Sequence, residues 1–219
     1  MVSGSPDEGR REVLRTSLSL GIAVGLYGAS FGAAAATAGF SVAQACAVSL
    51  LVFTGASQFA LVSVLGAGGS VAAGVASAVL LGGRNGLYAV LLNERLSVPR
   101  WRKPLAAQLT IDESTAVSTT SPVEWAHVGF WWTGLTVYVV WNLSTLVGAA
   151  SAAAVSPTAF GLDGAVGAAF LGLLWPRLRQ SWDVALVGAL LAVVAIPLTP
   201  PGVPVLIAGL AIMPKVLRS

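Results

Sequence analysis

Charge is scarce in this chain of 219 residues: Asp, Glu, Lys and Arg make up 10% of it, where a soluble domain carries about 25%. A soluble globular protein is excluded. Cysteine is nearly missing too, and Cys46 alone can form neither an internal disulfide nor a cysteine metal cluster. Its apolar neighbours make it a small packing residue. Histidine occurs once, as His127, so no Cys/His metal constellation is available. The chain has no Walker A loop and no dinucleotide fingerprint, and so no sequence basis for ATP hydrolysis or nicotinamide chemistry. The pI of about 9.5 resembles a nucleic-acid signal, yet the net charge is only +3 and the basic residues sit between apolar stretches. They are loop charges that orient a membrane protein. No cofactor, no metal and no nucleic-acid partner are expected.

Apolar residues are abundant: 56% of the chain is hydrophobic, mean hydropathy is +0.82, and there are 25 Gly and 11 Pro. Gly and Pro at that frequency suit packed transmembrane helices rather than soluble ones. At about 20 residues per crossing, the expectation is an all-α polytopic membrane protein with about six or seven apolar segments. Residues 1–16 form a cytoplasmic N-terminal tail and residues 17–219 a single transmembrane domain.

The first apolar stretch, residues 17–40, carries no charge. A secretory signal is the competing reading, because a basic segment precedes it and Ala33 to Ala36 could mimic a cleavage site. Gly21, Gly25, Gly28 and Gly32, however, form small-xxx-small pairs at helical spacing, which a packed span uses and a discarded signal does not need. Residues 41–65 are interrupted at Thr54, Gly55, Ala56, Ser57 and Gln58, and residues 71–92 at Gly82, Gly83, Arg84, Asn85 and Gly86. Two Gly-broken helices in succession point to a transporter binding site, since unwound backbone at membrane depth must line a cavity or be buried in protein.

The basic segment 93–103, with Arg95, Arg100, Arg102, Lys103 and Trp101, is assigned to the cytoplasm. If the N-terminal tail is also inside, an even number of crossings separates the two, yet three apolar segments are visible. One of them must enter and leave by the same face, and residues 41–65 are the candidate; an external N-terminus is the alternative. Further on, residues 105–123 are mixed, with Asp112 and Glu113 among small residues. Residues 126–150 form a span with an interfacial Trp131–Trp132 pair and an internal Asn142. An outer loop at 151–161, a span ending at Trp175, internal Arg177 and Arg179, and two short apolar runs at 184–198 and 204–213 complete the chain. Those runs are two short spans or one re-entrant pair; either returns the C-terminus, with Lys215 and Arg218, to the inside.

Arg84 is the sharpest single feature, because a guanidinium at bilayer depth is costly and faces a cavity or a carboxylate. Snorkelling to the interface is the bland reading. Ser57 and Gln58, with Thr54 and Asn85, offer hydrogen bonds beside the two breaks, against a plain role as interhelical glue. Asp112 and Glu113 are candidates for proton coupling or for binding an ammonium group, against a role as a solvated helix start. Ser57 with His127 would permit a serine hydrolase, but no Gly-x-Ser-x-Gly elbow surrounds any serine, and no enzyme activity is expected.

The order of Leu51-Val-Phe-Thr-Gly-Ala-Ser-Gln-Phe-Ala60, the Arg84 segment, Ile111-Asp-Glu-Ser114 and the 134–148 span with Trp141 and Thr145 resembles the AzlC family. These are the large subunits of two-component branched-chain amino acid exporters. The similarity runs from about Leu14 to the C-terminus, and Gly-Ala-Ser-Gln is its most specific part. Relatives often read Asn-x-Arg-His at the second polar segment, whereas here Gly82 precedes the arginine by two and Asn85 follows it, a shift that puts the substrate in question. The resemblance implies a permease domain over 17–219 in the bacterial inner membrane, exporting leucine, isoleucine, valine or a similar amino acid. It also implies a small hydrophobic AzlD-type partner. Substrate contacts are then expected at Ser57, Gln58, Arg84 and Asn85, with coupling or ammonium binding at Asp112 and Glu113. Another small amine or organic acid as cargo, or a non-conducting scaffold, are the alternatives.

Overall fold

The computed structural model describes residues 6–154, 175, 179, 181–201 and 203–212; among them are helices and turns but no strand. Helix α1 (Pro6–Gly25) passes into α2 (Gly28–Thr37) through one tight turn, in which Tyr27 N donates to the Val24 carbonyl and Ser30 N to the Tyr27 carbonyl. This joined helix, α5 (Val71–Leu96) and α8 (Ala126–Ala154) are long and apolar enough to cross a membrane. The N-terminal residues are helical from Pro6 onward.

The glycine stripe does what its spacing demanded. A Cβ on Gly21 or Gly25 would meet Thr136 or Val140 of α8, and one on Gly28 or Gly32 would run into the Trp141 or Thr145 carbonyl. Gly148 returns the contact against the Ala29 carbonyl. Small residues let the backbones approach where lipid offers no hydrophobic drive between helices. The register also fixes direction: residue numbers rise together along both helices, so α8 is parallel to α1–α2. Phe31, Phe59, Phe130, Leu109 and Trp141 fill the centre, with Phe31 edge-on to Phe59 at 5.5 Å and stacked on Trp141 at 6.5 Å.

Two short helices follow, α3 (Val42–Leu51) and α4 (Ala56–Gly66). Ser41 caps α3 with a reciprocal capping box, its hydroxyl accepting from Gln44 N and its own N–H donating to the Gln44 side chain. Helix α3 turns back beside α2: Ser49 shares a hydroxyl hydrogen bond of 3.2 Å with Thr145, which faces Gly32. Helix α4 then retraces the path, with Phe59 at the level of Phe31 and Gly66 against Ala38. At about 1.5 Å per residue each arm is roughly half a membrane long. Residues 41–65 thus fold as a hairpin of two short helices, the shape expected of a segment that enters and leaves by one face.

Helix α5 corrects one expectation. The break expected at Gly82 to Gly86 is not there, and 26 residues run as one helix. An interior glycine costs about 1 kcal/mol in a helix, but at membrane depth an unbonded peptide group costs several, so the helix persists. Gly82 serves packing instead, since a Cβ there would lie 3.2 Å from Ser57 Oγ.

Residues 105–123 hold the largest surprise. Helix α6 (Lys103–Leu109) and α7 (Asp112–Thr120) form a second hairpin, entering from the opposite end. Leu109 reaches Gly134 of α8, while Val117 and Ser121 return to Gly129 near the start of α8. Val117 packs there with Val13 and Val128, so the end where α1 and α8 begin is also the end of Arg95, Arg100, Arg102 and Lys103. This basic end contrasts with the far end, for no charged residue lies between Arg15 and Arg84. The two hairpins therefore enter from opposite ends and meet halfway, where Gln108 donates to the Leu50 carbonyl at 2.7 Å.

The short apolar runs near the C-terminus appear as α9 (Trp182–Ala195) and α10 (Val203–Gly209), and α10 lies against Leu80 of α5 through Gly209. The loop from residue 155 to 161, most of the span ending at Trp175, Arg177 and the final residues with Lys215 and Arg218 lie outside the described residues.

Candidate functional site

The break between α3 and α4 is built by Gly55, whose φ of 61° lies in the left-handed region that a Cβ disfavours. It turns the chain so that α4 starts facing α5. A cavity of about 360 Å³ opens there, within the range of small-molecule sites. Leu51, Val52, Phe53, Thr54, Ser57 and Leu61 come from the first hairpin, Val75, Ala78, Val79, Gly82 and Asn85 from α5, and Ala107 and Gln108 from the second hairpin. Most of this wall is aliphatic. The polar exceptions, Thr54, Ser57, Asn85 and Gln108, face one another across three elements.

The two helix ends at the break are treated differently. Two carbonyls at the end of α3 are occupied: Gln58 donates to the Ser49 carbonyl at 3.2 Å, and Gln108 and Tyr138 both donate to that of Leu50. The N–H end of α4 is open. No side chain caps it, and the amides of Ala56 and Ser57 make no backbone bond. The Ser57 hydroxyl, on a residue only 2% exposed, and the Thr54 hydroxyl are buried without a hydrogen-bond partner. Both hydroxyls belong to residues of the cavity lining.

Arg84 sits one residue before Asn85, and its Nη2 lies 3.1 Å from Asp112 Oδ2, the two side chains being 30% and 22% exposed. With Leu96 at the basic end, Arg84 lies about 18 Å deep, and it does not snorkel. Eleven residues along α5, on nearly the same face, the Arg95 guanidinium donates to the Ser118 and Ser121 carbonyls at 2.9 and 2.6 Å. Arg84 thus holds the acidic start of α7 through Asp112, whose charge suits the positive helix end, and Arg95 binds the carbonyl end, where a cation suits the dipole. Glu113 is half-buried in the first turn of α7.

Of the residues singled out in the sequence, Ser57 and Asn85 line the cavity. Gln58 is fully buried and turned to α3, and Arg84 and Asp112 form a pair beside the cavity rather than in its wall. Ser57 and His127 are not brought together: Ser57 is buried opposite Gly82, while His127 is exposed in the first turn of α8 at the basic end. Thr54, also singled out as a hydrogen-bonding residue, lines the cavity too, whereas Gln108 was not among the residues singled out. The signal for Gln108 was available as the pattern Lys103-Pro104 and Asp112-Glu113, two helix starts too close together for a span.

Opposed half-membrane hairpins that bring a broken helix to a polar cavity at mid-depth define a helical membrane protein of the transport type. The comparisons name its family. The family model described as AzlC protein matches residues 19–155, and the chain belongs to the AzlC family, which supports a membrane transport role. It is also 32% identical over 92 residues to an uncharacterized membrane protein of Helicobacter pylori (strain J99), covering 42% of this chain and 40% of that protein. The chain thus spans about two fifths of the length of that curated relative. No solved structure matches.

Proposed function

We propose that this chain is the permease subunit of a secondary exporter for leucine, isoleucine, valine or a similar small amino acid. It works in the bacterial cytoplasmic membrane beside a small hydrophobic AzlD-type subunit. The observation that carries this is the mid-depth cavity, whose aliphatic wall of Leu51, Leu61, Val75 and Val79 suits a branched side chain, while Ser57, Thr54 and Asn85 gather polar groups at one edge. The distribution of Lys and Arg supports a cytoplasmic basic end, and so a cytoplasmic N-terminus.

In this scheme Ser57 and Asn85 touch the substrate and Gln58 braces the break from behind. Arg84 and Asp112 form a pair that opens and recloses as the second hairpin moves, and Glu113 lies next to the carboxylate that takes part in coupling. The test is efflux of a labelled amino acid panel from vesicles containing this chain with and without its partner subunit. Saturable efflux of branched amino acids that needs this chain is the expected result. Silence of every cargo under both conditions would make the chain a scaffold, and transport confined to amines or organic acids would replace the substrate.

A further inference from the structure

Resting on that reading of the cavity, we infer that the site recognises its substrate through the carboxylate and tolerates loss of the amino group, so that branched apolar monocarboxylates such as 2-oxo acids are also ligands. The first support is the asymmetry of the break. A helix start carries about half a positive charge and unbonded N–H groups, and the first turn of α4, with the unbonded amides of Ala56 and Ser57, meets the cavity at Ser57. The second, independent support is Ser57 itself: 2% exposed, lining the cavity, its hydroxyl without a partner and held near Gly82. Two backbone N–H groups and one hydroxyl there make a donor set for a carboxylate.

The ammonium meets only neutral groups: the Asn85 amide oxygen, buried without a partner, lines the cavity, but none of the lining side chains is ionisable, and Asp112 is engaged by Arg84. The carbonyls that end α3 could attract a cation, but those of Ser49 and Leu50 already accept from Gln58, Gln108 and Tyr138. Charge recognition therefore falls on one end of the substrate and the aliphatic wall takes the other. Gly82 sets the space: a Cβ there would crowd the Ser57 hydroxyl, so a small residue on α5 is what keeps that donor free.

The test is inhibition of labelled leucine counterflow in vesicles holding this chain and its small subunit. Three competitors of one shape are compared: leucine, 4-methyl-2-oxopentanoate and leucinamide. The oxo acid should compete within about tenfold of leucine, and leucinamide should be about ten- to a hundredfold weaker, the size of a lost charge-assisted hydrogen bond. Ser57→Ala removes a hydroxyl that bonds nothing in the protein, so the fold is retained. It should weaken leucine and the oxo acid alike by about tenfold while leaving leucinamide unchanged. Gly82→Ala should act in the same direction. Leucinamide equal to leucine, an oxo acid that fails to compete, or an unaltered Ser57→Ala would each overturn the inference while leucine transport stands. Absence of any leucine counterflow would overturn the exporter reading together with it.

Discussion

The two hairpins meet halfway through the protein and are built on opposite plans. The first, α3–α4, carries no charge, turns on Gly55 at positive φ and leaves the N-terminus of α4 bare. The second, α6–α7, has no positive-φ residue in its tip and loads the N-terminus of α7 with Asp112, Glu113 and Ser114. Ser114 closes that tip by accepting from Ile111 N and donating to the Leu109 carbonyl at 2.6 Å. A helix start that is already satisfied is a structural anchor, whereas one left open is a binding element. The difference teaches that equal depth does not mean equal construction: the start of α4 is left without a capping partner, whereas the two ends of α7 are answered inside the protein, by Asp112 at its start and by Arg95 at its carbonyl end.

The comparison is broken most severely if the hairpins do not enter from opposite faces. On a Cys46→Ala background, Ser97→Cys at the basic end and Thr37→Cys at the far end should label from opposite sides of the membrane, Ser97→Cys from the cytoplasm. Labelling of both from one side would remove the opposed arrangement altogether.

Next in size is the charged anchor. Arg84→Gln removes the cation that faces Asp112 at depth and should destabilise the protein by about 3 kcal/mol, the low end for a broken buried pair because both groups keep some exposure. Thermal unfolding in detergent reads this, and the double variant Arg84→Gln with Asp112→Asn should recover most of it. Arg84→Lys keeps the charge but loses the planar fork. If Arg84 is an anchor only, leucine affinity in Arg84→Lys should stay near normal; if it also grips the substrate carboxylate, affinity should fall tenfold or more.

Gly55 tests the neutral hairpin. Gly55→Ala puts a Cβ at a φ of 61° and should cost about 1–2 kcal/mol by the same unfolding measurement, with leucine binding weakened as the α4 start is re-aimed. At the other tip, Thr110→Ala loses only a hydroxyl bond to the Ala106 carbonyl, about 1 kcal/mol, and should leave binding unchanged.

The smallest effect belongs to the link between the two tips. Gln108→Ala deletes the donor to the Leu50 carbonyl, which Tyr138 still serves at 3.3 Å, so stability should fall by about 1 kcal/mol or less. Its larger signature is kinetic, because a weaker tip-to-tip link should raise the efflux rate more than it changes leucine affinity. An unchanged rate would deny the link any part in opening.

Parts of the site were readable and parts were not, for identifiable reasons. Gly55 beside Ser57 and Gln58 announced a break because polar and flexible residues together interrupt an apolar run. Gly82 to Gly86 carried the same composition and made no break, since glycine only permits unwinding and the membrane penalises it. Arg84 and Asp112 were each conspicuous, but they lie far apart in sequence, and only the folded chain shows them as one pair. Gln58, placed in the site by its position beside the break, faces α3 because helical rotation turns it away from Ser57 by about 100°.

What the sequence determined by itself is the solvent and the local elements. Hydropathy required helices in a membrane, the glycine stripe required a tight helix partner, and Gly55 among polar residues required a break in the second apolar run. The tertiary structure decided which residues share a cavity and which helix end remains open. Those are matters of register between segments remote in sequence: α4 against α5 at Ser57 and Gly82, and α6 against α3 at Gln108 and Leu50. A local pattern states how a side chain can bond, but the neighbour that arrives first decides whether that capacity is spent inside the protein or left for a ligand.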